Sequence, residues 1–326
     1  MDVRYVAIRT ILWLVLPLSL FSCKRHSTRF VADVGQVDVE IGIRRFDKDV
    51  LVLPVDSLYD RYGDFVNLYA FKILNLHNPQ DIKKFTSDSI VSIIYADAEK
   101  EYDHVQNIER ELSTAFKYFN YYFPTLAIPE MLFHVSGFNQ SVVITDDAVS
   151  ASIDLYLGSD YKYYEGVANQ YELPLMTRER LPLDMAYAWI STEFLQEGQD
   201  RLIDNMLYRG KLLYMMMVMF PNRNECDILG YTPEQLAWAK LYEENIWASM
   251  MEKKQLFSSD WRLITQMVNP APFTQGFSQD SPGRLGEYIG LQIVKSYMEN
   301  NRNLTLYDMF AATDAEQLLR DSQYRP

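Results

Sequence analysis

The stretch Ser281–Asn300, "SPGRLGEYIGLQIVKSYMEN", decides how the carboxy-terminal half is read. Gly283, Gly286 and Gly290 punctuate the front of an otherwise amphipathic helix, with Arg284 among them. Each glycine in a helix interior costs about 1 kcal/mol relative to alanine, so three of them require a reason. A phosphate cradle needs a strand leading directly into the glycines, and no strand-like run precedes Ser281. Gly286 and Gly290 are four residues apart and share one helical face. There the absent side chains would let a neighbouring helix approach closely. Ser281 and Pro282 read as the helix start, because proline is favoured at the first helical position. Arg284 then falls at the amino end, where the helix dipole disfavours a cation.

Outward from this stretch, helical signals dominate from Leu181 onward. Ile203, Met206, Leu207, Gly210, Leu213, Tyr214 and Met217 form one apolar stripe at helical spacing. Thr232-Pro233-Glu234-Gln235 reads as a helix start, with a threonine cap, a proline at the first position and a glutamine three residues after the cap. Earlier, "MLFHVSG", "SVVITDD" and "SASIDLYLG" within residues 129–158 read as three short strands of an antiparallel meander. Val37, Val39, Ile41 and Ile43 alternate with polar residues and glycine, which predicts a half-buried strand. Residues 56–123 lean helical. The expected fold is one α+β domain over residues 37–326, a small early sheet followed by a mainly helical carboxy-terminal half.

The amino terminus speaks to compartment. Arg4 and Arg9 precede the apolar run "ILWLVLPLSLF", Ile11–Phe21, which is too short for a membrane span of about 20 residues. The run leads into "LFSC" with a small residue before Cys23, the pattern of a bacterial lipoprotein signal. The expectation is removal of residues 1–22, acylation of Cys23, and a tether over 23–36. Lys24 after the cysteine carries no aspartate retention signal, and "KRHSTR" carries no acidic run of the surface-export kind. That favours the outer membrane, on its periplasmic side. Cys226 is then left without a cysteine partner in the chain, so the fold stands on its core without a disulfide. A net charge of −13 argues against a nucleic-acid binder.

Catalytic motifs are scarce. There is no phosphate loop, nucleophile elbow or HExxH. His26, His77, His104 and His134 are not spaced as helix-borne ligands, and His134 reads as a packed strand residue. No metal or other cofactor is expected. Glu243 in "LYEENIW" lies on a face with Leu236, Ala239, Ile246, Trp247 and Met250, which is costly for a carboxylate unless it is paired. A structural pair with an arginine is favoured over a site residue, in a helix that Trp238 and Leu241 suggest is buried all round. Arg209, just before Gly210, and Arg284 are the candidate partners. Phe116, Phe119 and Phe123 share a helical face that reads as core rather than as a sugar platform.

Several stretches together resemble the GldB family, the gliding-motility lipoproteins of Bacteroidetes. These are the Cys23 lipobox, "RRFDKD" at 44–49, "ASIDLYLGSDYKYY" at 151–164, "YRGKLLYMMMVMFPN" at 208–222, "GYTPEQLAW" at 230–238, "EENIW" at 243–247, "LFSSD" at 256–260 and "SPGRLGEYIGLQIVKSYM" at 281–298. The resemblance implies a periplasm-facing outer-membrane lipoprotein. The carboxy-terminal half is also similar to predicted zinc-dependent proteases of zincin-like fold. The helix "LPLDMAYAWISTEFL", 181–195, stands where those carry HExxH, and it holds no histidine. Arg209 stands where an anionic ligand would be needed. The resemblance implies a non-catalytic zincin-like protein that binds an unidentified periplasmic or outer-membrane partner through Glu243, Arg209 or Arg284. It also implies that the helix packed against Gly286 and Gly290 is the 183–196 helix. Two alternatives stay open, a hydrolase with a relocated carboxylate site at Glu243 and a cell-wall glycan binder using the tyrosine clusters.

Overall fold

The computed structural model describes residues 28–195, 198 and 200–326. The expected signal segment and the expected lipidation site at Cys23 lie outside the described residues. Within them the chain is α+β, with a four-stranded sheet in the first half and helices beyond it.

The sheet is mixed, in the order β1 (Ile43–Arg44), β2 (Glu130–His134), β4 (Ala148–Ser152), β3 (Val142–Ile144). The expected meander is corrected. β2 runs parallel to both β1 and β4, and only β3 and β4 form an antiparallel pair. Residues 135–141 carry the chain past the position beside β2, so β3 takes the edge and β4 returns into the gap. Every residue of β4 is buried, as expected for a central strand covered on both faces. The strand predicted from Val37 shrinks to Ile43–Arg44 because side chains replace a partner strand. The Ile41 amide donates to Ser113 Oγ at 2.9 Å and the Ile43 amide to Glu109 Oε1 at 2.9 Å. Arg45 in "RRFDKD" pairs with the buried Asp47 and donates to the Tyr102 carbonyl at 2.6 Å, which fixes the start of the Phe46–Val52 helix.

The Leu202–Met219 helix, hereafter the central helix, is buried on nearly all sides, including Lys211 and Asp204. A helix apolar all round belongs in a core. It packs most extensively on the Leu285–Asn300 helix, the glycine helix of the opening stretch. A Cβ on Gly290 would fall 1.9 Å from the Met206 carbonyl oxygen, and one on Gly210 would fall 2.4 Å from the Gly290 carbonyl. A Cβ on Gly286 would fall 2.8 Å from the Met267 carbonyl oxygen, at the end of the Trp261–Val268 helix. The glycines therefore serve close packing, but against the central helix and Met267, not against the 183–196 helix. The Leu181–Glu193 helix instead sits between β3, β4 and the central helix. The central helix wins this position because Gly210 offers the complementary gap. The glycine helix also starts later than expected, with Arg284 as its N-cap and Pro282 outside its first turn. The start at Thr232 is as read, with Thr232 and Gln235 capping each other reciprocally.

Phe116 and Phe119 are fully buried and Phe123 nearly so, which makes that face core. Arg29 donates to the carbonyls of Arg302 and Leu304, and the Phe30 ring meets Tyr122 and Tyr214 edge-on. Arg29 and Phe30 thus dock on the body, within the segment expected to be a tether.

Candidate functional site

A cavity of about 550 Å³ opens where the Leu181–Glu193 helix, the central helix and the amino end of the glycine helix converge. Each supplies a charged wall residue: Asp184, Arg209, and the pair Arg284 and Glu287. Glu287, 4% exposed, takes a guanidinium on each oxygen. Arg209 Nη1 is 2.8 Å from Oε1 and Arg284 Nη1 is 3.1 Å from Oε2. The helix crossing creates this triplet. Arg209 immediately precedes Gly210, and Glu287 lies one turn before Gly290, so the glycine contact brings both side chains to the same edge.

Arg284 holds a left-handed backbone, φ 60° and ψ 34°, which costs a non-glycine residue about 1–2 kcal/mol. Its contacts hold it there. Besides Glu287, its Nη2 donates to the Leu229 carbonyl at 2.7 Å and the Gly230 carbonyl at 3.3 Å, and its guanidinium lies 5.5 Å from the Tyr231 ring centre. Tyr231 in turn donates to the Gly283 carbonyl at 2.7 Å. Arg180 approaches from the other side, with Nη1 on the Asp227 carbonyl at 2.6 Å and Nε on Asp184 at 2.7 Å. Two guanidiniums thus converge on the carbonyl-rich end of the Glu225–Leu229 helix, whose partial negative charge favours them. The cation that was out of place at the start of its own helix is matched by Glu287 and by the end of another.

Tyr156 donates to Asp184 Oδ2 at 3.0 Å. Tyr187 lines the cavity, and its hydroxyl has no hydrogen-bond partner among the described residues. Burial pushes its ionisation well above the usual tyrosine range, with a further push from the Glu287 charge, so it stays a neutral donor. Asp154 shapes the opposite wall. It is fully buried and accepts from the amides of Ser136 and Phe138 at 3.1 and 2.8 Å, which holds Phe138 in a left-handed turn at the cavity edge.

The candidate residues separate. Arg209 and Arg284 come together in the cavity. Glu243 does not line it and pairs with neither arginine, which corrects the expected ion pair. It accepts from the Tyr288 and Tyr324 hydroxyls, the latter at 2.9 Å. Tyr288 follows Glu287 in sequence but projects about 100° around the helix, so the two residues serve different sides. Glu243 also opens its own helix, Glu243–Glu252, and Leu241 just before it is 73% exposed, so this region is not buried all round. Glu287, Arg180, Asp184 and Tyr187 were missed. The i,i+4 spacing of Arg180 with Asp184 and the i,i+3 spacing of Arg284 with Glu287 were the available signals.

The family model described as gliding motility protein GldB matches residues 27–326. The chain belongs to the GldB family. No curated protein and no solved structure gives a match to it. The match spans the whole described fold of this GldB-family chain. Two of its quoted stretches, "YRGKLLYMMMVMFPN" and "SPGRLGEYIGLQIVKSYM", hold both the glycine crossing and the Arg209–Glu287–Arg284 triplet. A zinc ion does not fit the side chains at this crossing. Two guanidiniums face the cavity around the one buried carboxylate, and among the described residues no three His, Cys, Asp or Glu side chains converge as ligands.

Proposed function

We propose that this GldB-family protein is a non-catalytic, lipid-anchored binding protein of zincin-like ancestry, which docks a periplasmic or outer-membrane partner at the arginine-lined cavity. Residues 1–22 are removed, Cys23 carries the lipid, and the body faces the periplasm from the outer membrane. The observation that carries this reading is the Arg209–Glu287–Arg284 triplet. In a zinc hydrolase the cavity must present neutral or anionic ligands to a cation. Here two cations flank the carboxylate, an arrangement that suits binding of an anionic group.

The anchor fits the reading. Among the described residues no helix is long and apolar enough to cross a membrane. Arg29 already contacts the body, six residues after Cys23, and an extended chain spans at most about 3.5 Å per residue. A lipid on Cys23 would therefore hold the Arg302–Leu304 end of the molecule within about 20 Å of the bilayer surface.

Crosslinking in cells, followed by identification of the captured protein, tests the docking role. Arg209→Glu should abolish the crosslink while the protein stays membrane-associated. Stoichiometric zinc retained through purification would overturn the non-catalytic reading, and unchanged membrane fractionation of Cys23→Ala would overturn the lipid anchor.

A further inference from the structure

We infer that the Arg209–Arg284 edge of the cavity is a carboxylate-recognition site, whose ligand is a monoanion with an apolar body, such as the free carboxy terminus of a peptide. The inference rests on the binding reading above and gives that binding a chemistry.

Charge balance is the first argument. Arg209 and Arg284 carry two formal positive charges against the single negative charge of Glu287, so the triplet has an excess of one. Arg180 does not add to the excess, because Asp184 neutralises it at 2.7 Å. Glu172 is the remaining carboxylate on the cavity wall. It is bound by the amide and side chain of Asn169 on a separate segment, so it leaves the Arg209–Arg284 edge positive. A carboxylate would neutralise that excess. A phosphate monoester, near −2 at neutral pH, would leave a surplus negative charge in a partly buried place, which is costly.

Donor geometry is the second. Each guanidinium presents five N–H groups in a planar fork suited to carboxylate oxygens. Arg209 uses Nη1 on Glu287 and Nη2 weakly on Asn269 at 3.3 Å, while its Nε has no acceptor among the described residues. Arg284 likewise spends both Nη atoms within the chain and leaves Nε without an acceptor there. The Tyr187 hydroxyl, also without a partner among the described residues, lines the same cavity. Spare donors beside an excess positive charge are what an incoming carboxylate requires.

The third is the rest of the wall. Leu213, Ile228, Leu175, Met176 and Phe138 give the cavity an apolar lining beyond the charged edge. Its volume is within the usual range for small-ligand sites of roughly 300–1,000 Å³. An apolar terminal side chain would fill it while its carboxylate meets the arginines.

The test is calorimetric titration of the purified full-length protein in detergent with acetyl-Ala-Ala-Phe as the free acid and as the carboxy-terminal amide. The acid should bind at least tenfold more tightly than the amide. Arg209→Gln should remove that difference, Arg209→Lys should keep part of it, and Tyr187→Phe should weaken the acid severalfold with little change for the amide. N-acetyl-phenylalanine separates the sources. Affinity equal to that of the tripeptide supports a free small acid, and weaker affinity supports a peptide terminus. Equal affinity for acid and amide, tighter binding of inorganic phosphate than of the acid, or no saturable binding of any carboxylate probe would each overturn the inference. The acid–amide comparison uses the unmodified protein, so it stands even if a variant misfolds. Its failure leaves the docking reading to the crosslinking result, whereas a crosslink that Arg209→Glu does not weaken would sink the docking reading whatever the peptides do.

Discussion

Gly210 of the central helix and Gly290 of the glycine helix meet backbone to backbone, so closely that a methyl on Gly210 would lie 2.4 Å from the Gly290 carbonyl. No side-chain rotation relieves a contact between two main chains. Gly290→Ala, whose added carbon would sit 1.9 Å from the Met206 oxygen, should force the helices apart and destabilise by about 3 kcal/mol or more. Gly42→Ala is the control, since nothing lies within 4 Å of its Cβ position, and it should fall within about 0.5 kcal/mol of the parent. Urea midpoints of the two variants measure the difference. Equal midpoints would mean the crossing is looser than described.

The same crossing sets the Arg209–Glu287 contact, so the triplet depends on it electrostatically and sterically. Glu287→Gln would leave two guanidiniums facing each other without the carboxylate that separates them. Arg209 and Arg284 keep 31% and 17% of their side-chain surface, so solvent screens part of the repulsion. The expected loss is on the order of 2 kcal/mol rather than the roughly 3–5 of a fully buried broken pair. Adding acetate should recover part of that stability in Glu287→Gln by supplying the missing anion, and should do less for the parent. Thermal melts in acetate and in chloride at equal ionic strength distinguish this from general screening.

The helical half was legible where local chemistry decides the outcome. The Thr232 cap and the stripe through Ile203, Met206 and Gly210 are written in residues adjacent in the chain, and both stand in the structure. The partner of Gly290 was not legible: the expectation was the 183–196 helix, and the structure gives Met206 and Gly210 of the central helix. What failed depends on contacts distant in sequence. Strand order cannot be read from three consecutive β-rich runs when a seven-residue loop can carry the second run past the third. The apolar face expected for Glu243 is split, because Leu236 and Ala239 belong to the Pro233–Leu241 helix and Glu243 opens the next, and its partners are 45 and 81 residues away. A half-buried carboxylate is satisfied by tyrosyl hydroxyls as well as by arginine, and spacing does not tell them apart. Glu287 carries only the i,i+3 spacing with Arg284 as a local mark, because its other partner, Arg209, lies 78 residues away.

His134 gives the fold an acid-labile point. It is fully buried, with Nδ1 2.7 Å from Ser150 Oγ and Nε2 without a partner among the described residues. Burial pushes its pKa from 6.5 down to about 3. Between those values the unfolded chain takes up a proton that the native chain refuses. Stability is therefore lost as pH falls below 6.5, by up to about 1.4 kcal/mol per pH unit from this residue. His134→Gln keeps a neutral hydrogen-bonding group and removes the titration. It should be less stable than the parent at pH 7, and the gap should close as pH falls from 6 to 4. Parallel stability curves for the two proteins would show that His134 is not the titrating group.

Lys211 acts with the same sign in a higher pH range. It lies on the central helix, 1% exposed, with Nζ donating to the Ala312 carbonyl and no carboxylate within ion-pair distance among the described residues. Burial lowers its pKa from 10.5 to about 8. Below pH 8 the native state must carry a poorly solvated ammonium, and between 8 and 10.5 the unfolded chain holds the proton more tightly than the native one does. The contribution of Lys211 to stability therefore rises as pH increases through that interval. Lys211→Met removes the charge, keeps a long flexible side chain and leaves one carbonyl without its donor. The net effect expected at pH 7 is a gain on the order of 1–2 kcal/mol, since replacing a buried charge by an apolar side chain is often stabilising. As pH is raised from 8 toward 10 the parent should catch up and the gain should shrink. Buried tyrosines begin to destabilise both proteins near the top of this range, and the difference between parent and variant cancels that effect. Denaturant unfolding of both at pH 7, 8, 9 and 9.5 reads the trend directly. A Lys211→Met protein that is destabilised at every pH would show that the ammonium is better accommodated than its burial implies.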